Sequence, residues 1–204
     1  MKIIGKIFVY GVCLLALPFF FACSKKKLEP EEYIHWVESR DNELKKVKEV
    51  GDYVYELQYW PIEYKLLKES ETRRLGEKYI AKKKEENGSF MYFKLRMYEK
   101  SKQKDILEYG VSGMNDYYKR IDYLSYGFEE NIACFRGKDT LLPCVYHFER
   151  TYSVSPFADV MFTFKDKSPE DFTVLVDDIV FNGGPLKFEF KKSSLSDLPE
   201  LKTF

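Results

Sequence analysis

Histidine and cysteine are scarce in this 204-residue chain. It has two histidines, His35 and His147, and four cysteines, Cys13, Cys23, Cys134 and Cys144. No H-x-x-x-H, H-E-x-x-H or C-x-x-C spacing occurs, so the sequence offers no set of three or four zinc ligands. The glycine-rich phosphate cradles and the G-x-S-x-G nucleophile elbow are missing too. Carboxylates cluster at Asp166…Glu170-Asp171 and at Asp177-Asp178, without the D-x-[DN]-x-[DN]-G frame of a calcium loop. Excess charge of one sign is also lacking. Thirty-three Lys and Arg balance 33 Asp and Glu, which removes the electrostatic footprint of a nucleic-acid binder. Beyond residue 22, charges interrupt every apolar run, and a helical span needs about 20 apolar residues. No catalytic, cofactor-binding or metal-binding residue is therefore assigned, and the expectation is a protein that is not an enzyme.

What is present begins at the first residue. Lys2 and Lys6 form a basic start, and Ile7 to Phe21 is apolar apart from Tyr10, Gly11, Cys13 and Pro18. That is a secretory leader in length and flanks. It ends in Phe20-Phe21-Ala22-Cys23, followed by Ser24 and three lysines. A small residue before a cysteine at this boundary resembles a bacterial lipobox, with Phe20 where leucine is usual. The resemblance implies cleavage before Cys23 and acylation of Cys23. An ordinary signal peptide cut near Ala22, or an uncleaved anchor, are the alternatives. Two or more acyl chains hold a protein stably on a bilayer. The expected division is a signal peptide over 1–22, a lipidated tether over 23–32 and one globular domain over 33–204. The mature part has 182 residues, with 31 Lys and Arg against 33 Asp and Glu. That length supports one domain with a sizeable core.

Cys13 leaves with the leader, and Cys23 is consumed by lipid. Cys134 and Cys144 remain, and an even pair in an oxidising compartment reads as a disulfide. A register that faces Cys134 with Cys144 also faces Ile132 with Tyr146, so the apolar faces of Asp122–Arg136 and Thr140–Tyr152 coincide in the same hairpin.

Sixteen tyrosines and 17 phenylalanines, interleaved with charges, suit half-buried strands. Gly51-Asp52 predicts a hairpin between Leu44–Val50 and Tyr53–Tyr59. Pro61 opens a helical stretch to Glu86, with Gly76 as a break between two helices. Phe90 to Tyr98 alternates, with Met91, Phe93, Leu95 and Met97 on its apolar face. Short helices are expected at Lys104–Tyr109 and Met114–Arg120. Further strands follow at Asp159–Phe164, Phe172–Val176 and Leu186–Phe190. The predicted class is α+β: an aromatic-rich antiparallel β-sandwich with a helical insertion near 61–86. An immunoglobulin-like strand order and a half-open barrel are the alternatives.

The one positive hint of binding is aromatic. Trp36, Trp60, Tyr92 and Tyr98 are candidate ligand contacts, because exposed rings stack on sugars and anchor protein partners. The lipobox, short tether and aromatic-rich sandwich, with the blocks YWPIEYKLL and GKDTLLPCVYHFERTY, resemble small envelope lipoproteins of Bacteroidota. That family has no assigned activity, so the resemblance implies a location and not a mechanism. The location is the cell envelope, with the outer membrane the expected membrane and its face open. The implied partners are a lipid bilayer through Cys23 and a protein or glycan, with no nucleic acid. The expected role is a non-enzymatic binding or assembly module. An inhibitor or immunity-type lipoprotein, and a hydrolase with an unrecognised site, are the other classes.

Overall fold

The computed structural model describes residues 25–152, 154–166 and 170–204. The leader and Cys23 lie outside the described residues. The chain starts with a two-residue strand, β1 (Lys27–Leu28), and then helix α1 (Pro30–Glu38). Pro30 needs no N–H in the first turn, and the Glu29 N–H is taken by the Glu32 carboxylate at 3.3 Å. A 3₁₀ turn (Arg40–Asn42) leads to β2 (Lys45–Val50) and β3 (Tyr53–Trp60). The turn between them holds Gly51 at φ +57°, where a Cβ would be strained.

The expected insertion is two helices, α2 (Ile62–Glu69) and α3 (Glu77–Asn87), with Gly76 just before the second. Next come β4 (Phe90–Glu99), α4 (Met114–Tyr126) and a 3₁₀ turn (Phe128–Asn131). Strands β5 (Ile132–Arg136), β6 (Asp139–Leu141), β7 (Val145–Glu149) and β8 (Phe157–Lys165) follow. The chain then forms β9 (Phe172–Asp178), β10 (Gly184–Phe190), α5 (Lys192–Ser196) and β11 (Glu200–Leu201).

Two antiparallel sheets carry the fold. One has the order β2-β3-β4-β8-β7 and the other β10-β9-β5-β6. They pack face to face, with Phe93 of β4 meeting Phe172 and Phe190 of the second sheet at ring distances of 5.9 and 5.6 Å. The inward face of β4 is the predicted one, since Met91, Phe93, Leu95 and Met97 are all buried. The architecture is an α+β antiparallel sandwich and not a closed barrel. Its strand order differs from the immunoglobulin one, because the last strand of the meander, β4, is the one that pairs with β8. A second core lies outside the larger sheet, where Tyr33, Val37, Trp60, Tyr64, Leu67 and Ile80 bury helices α1 to α3.

Four local expectations are corrected. The tether does not run to Glu32. Leu28 is buried, and β1 pairs in parallel with β11, so the domain is folded from its first described residues. The Lys104–Tyr109 segment forms hydrogen-bonded turns and no helix. Residues 122–131 are helical and not a strand. Tyr117, Ile121, Leu124 and Phe128 are spaced by four, three and four residues, which fits a helix as well as part of the set fits alternation.

The Cys134–Cys144 bridge is the fourth. Cys134 pairs in register with Leu141, and the two thiols are not joined. Pro143 has no N–H for a ladder, and the segment around it carries the chain from the smaller sheet (β6) to the larger (β7). The proposed hairpin is thereby cut in two. Cys134 is buried between the sheets, and Cys144 is exposed with its thiol donating to the Thr163 carbonyl at 3.3 Å.

Candidate functional site

The outward face of the five-stranded sheet is ordered in cross-strand rows. Trp60 pairs with Tyr92, Tyr92 with Thr163, and Thr163 with Val145. The next row is Lys45, Gln58, Lys94, Met161 and His147. The third is Val47, Glu56, Arg96, Asp159 and Glu149. Tyr98 stands between Val54 and Phe157 in the fourth. Directly opposed side chains in such rows are in contact. One end of the face is therefore apolar and aromatic, its middle is charged, and its far end is aromatic again.

Helices α1 and α2 lean over one side of this face and leave a groove. Its cavity volume is about 230 Å³, with Glu38, Lys45, Glu56, Gln58, Trp60, Tyr64, Lys68, Lys94 and Arg96 around it. Gln58 Nε2 donates to the Val37 carbonyl at 3.2 Å and fixes the end of α1. The Tyr64 hydroxyl donates to Glu38 at 2.6 Å, and Lys68 stands 3.4 Å from the same carboxylate. The Glu38 carboxyl is held below its usual range. Burial pushes the other way, but the Tyr64 hydrogen bond and Lys68 outweigh it.

The middle row holds a buried charge. Asp159 is 4% exposed, and a buried carboxylate needs paired cations. Arg96 grips it with two bonds, Nε to Oδ1 at 2.7 Å and Nη2 to Oδ2 at 2.6 Å. Lys94 adds a contact at 2.6 Å and reaches Glu149 at 3.7 Å. Burial works to raise the Asp159 pKa, and the Arg96 and Lys94 bonds more than cancel it, leaving the carboxyl low. The Arg96 guanidinium also lies over the Phe157 ring at 4.4 Å.

Beside the groove, across the Trp60–Tyr92 row, is an open cleft with a cavity volume of about 400 Å³. Phe90, Tyr92, Val145, His147 and Met161 line it, and Lys65 of α2 stands 5.3 Å above the Tyr92 ring. Val145 is 58% exposed, and β7 is the edge strand. A sheet that buries its apolar side in a sandwich ordinarily keeps the other side polar. Here the outer side carries apolar and aromatic surface as well.

Three of the four predicted aromatics lie on this face. Trp60 is buried, with its ring edge-on to Tyr64 at 5.1 Å, and its indole N–H has no acceptor among the described residues. Tyr92 is half-buried in the cleft wall. Tyr98 is buried at the far end, its hydroxyl donating to Glu56 at 2.8 Å; burial and the Glu56 charge push it up to about 12. Trp36 is elsewhere, half-buried against the second core. Asp159, Met161 and Lys45 were not among the sequence candidates. The alternation of Tyr92, Lys94, Arg96 and Tyr98 marked the face, but the register that adds Asp159 and Met161 joins strands about 65 residues apart, and nothing local encodes it.

Among the described residues no group of three His, Cys, Asp or Glu is placed to hold a metal ion, and no helix is long and apolar enough to cross a membrane. No protein-family model matches the chain, and no curated protein does. Among solved structures, a protein provisionally named a lipoprotein from Staphylococcus aureus subsp. aureus NCTC 8325 is similar over 78% of this chain and 99% of that one. The two are 12% identical, with a TM-score of 0.32. A likeness of that degree establishes neither a shared fold nor a shared role.

Proposed function

We propose that this chain is an envelope lipoprotein, held on a membrane by acylated Cys23, that works as a non-enzymatic binding module through the outer face of its five-stranded sheet. The lipobox resemblance supports the anchor, and the outer membrane is the expected one. The observation that carries the binding role is the apolar cleft of Tyr92, Val145 and Met161, set beside a charge-dense groove on a sheet whose other side is already core. A solvent-facing aromatic patch with a polar surround has the composition of an interface. The Glu38 and Asp159 carboxyls are both pushed down, so neither is poised as a general acid.

The test is capture from detergent-solubilised membranes with the full acylated chain as bait. Partners should be recovered by the native protein and lost with Val145→Asp or Tyr92→Ala. They should be kept with Val154→Asp, a control at an 89% exposed position. Capture that ignores the cleft variants, or no capture at all, would count against this face. A recovered hydrolase or toxin whose activity falls on binding would narrow the role to inhibition.

A further inference from the structure

The anchor and the domain are separated by almost nothing. Lys25 Nζ donates to the Ser196 carbonyl at 2.8 Å, the Glu200 N–H donates to the Lys26 carbonyl at 2.9 Å, and Leu28 is buried. The chain is thus fixed to the body of the domain from residue 25 onward. Cys23 is two residues earlier, a reach of at most about 7 Å. The headgroup layer on each side of a bilayer is itself roughly 5–8 Å deep. If Cys23 is acylated, no leash remains for the domain to swing on.

We propose that the pole of the domain around Lys25, Ser196 and Leu198 rests directly on the lipid headgroups and that the bilayer fixes the orientation of the whole molecule. This rests on the acylation of Cys23 proposed above. The surface at that pole fits a membrane. A hollow of about 490 Å³ lies there, with Leu195, Leu198 and Ala81 in its lining. Of the charges around it, Lys27 is paired with Glu200 and Lys84 with Glu63, Glu77 is also present, and Lys25 points to a carbonyl. Lys25 bonds a neutral carbonyl, and Lys26 has no carboxylate partner among the described residues. Their charge is left for anionic headgroups, which attract lysines close to the surface. The occupant is lipid, because the anchor brings lipid to this pole and to no other.

The experiment uses the full acylated chain in vesicles of phosphatidylethanolamine and phosphatidylglycerol doped with a headgroup-nitroxide lipid. In a Cys144→Ser background, one fluorophore is placed by Ser196→Cys and another, in a separate protein, by Gln103→Cys. Gln103 is exposed and lies past the far end of β4, a strand roughly 33 Å long. The Ser196 probe should be quenched at least twofold more than the Gln103 probe. Ten Gly and Ser residues inserted between Ser24 and Lys25, which give a coil of roughly 17 Å, should abolish the difference. Equal quenching of both probes in an acylated chain would overturn the fixed orientation alone. A chain whose mass shows no lipid, or Cys23→Ala protein that stays on the vesicles, would overturn the anchoring reading and the orientation with it.

Discussion

The Tyr55 hydroxyl donates to Asp178 Oδ2 at 2.5 Å across the gap between the two sheets. Asp178 ends β9 in the smaller sheet and is 1% exposed. It also accepts the backbone N–H groups of Val180, Phe181 and Gly183. One carboxylate therefore shapes the β9–β10 turn and ties it to β3. Burial pushes the Tyr55 hydroxyl far above its ordinary pKa, and the Asp178 carboxylate pushes it further, so it remains a donor throughout the working pH range.

Tyr55→Phe removes that donor and leaves a buried carboxylate oxygen with less company. The expected cost is about 1–3 kcal/mol in urea unfolding. Gly183→Ala should cost more, because an added Cβ would collide with the Tyr55 hydroxyl and stand 2.8 Å from Asp178 Oδ2. Wild-type stability in either variant would show that the knot is not needed.

The Arg96–Asp159 pair sets a pH dependence. The folded Asp159 pKa is depressed, so its contribution is present above the unfolded carboxylate value of about 3.9 and is lost as pH falls through the lower folded value. Asp159→Asn should cost up to about 3 kcal/mol near neutral pH, the low end for a broken buried pair, because the Arg96 side chain is 36% exposed. The gap between wild type and variant should hold down to about pH 5 and shrink progressively as the pH falls below the unfolded value. A gap that does not change with pH in denaturant titrations would refute the assignment.

The two thiols should differ in reactivity. Burial, with the nearby Asp166 charge, pushes Cys134 up to about 12, so at neutral pH it holds no useful thiolate. Cys144 is exposed. A thiol reagent should titrate one group in the native mature protein and two after denaturation without reductant. Zero in the denatured state would restore the disulfide that the register argues against.

Trp60→Phe tests the orphaned indole N–H. A buried donor without an acceptor costs about 1–3 kcal/mol, and phenylalanine removes it while keeping a ring beside Tyr64. The variant should unfold within about 1 kcal/mol of wild type, whereas Trp60→Ala should lose about 3–5 kcal/mol to its cavity. A large loss in Trp60→Phe would mean that the N–H is satisfied in solution.

The parts of the fold that could be read from sequence are those encoded over a few residues. β4 shows its two faces in nine letters, Gly51 marks a hairpin, and Pro61 and Gly76 mark where α2 and α3 begin. Residues 122–131 are misread in sequence because Leu124 and Phe128 satisfy period 2 and period 3.6 alike, and only packing against the sandwich decides between them. Residues 140–152 read as one strand because the apolar alternation runs straight through Pro143. In fact Pro143 lies where the chain changes sheets. Of the candidate site, Tyr92, Lys94, Arg96 and Tyr98 were visible as one face. Asp159, which turns two surface cations into a buried cluster, depends on the β4–β8 register and had no local signal.

The parallel pair of β1 and β11 sets an order of events. Lys27 lies beside Glu200 and Leu28 beside Leu201, so this contact joins positions 173 residues apart. Buried Leu28 and Leu201 belong to the helical core with Tyr33 and Trp60, which is therefore closed only when residue 201 arrives. A chain made from its N-terminus must keep that core open until residue 201 has emerged, which delays complete folding. The same pair lies next to Lys25, so any pull on an anchored N-terminus loads a two-residue clamp first. Force and folding thus converge on one small seam, the last to form and the first to be stressed.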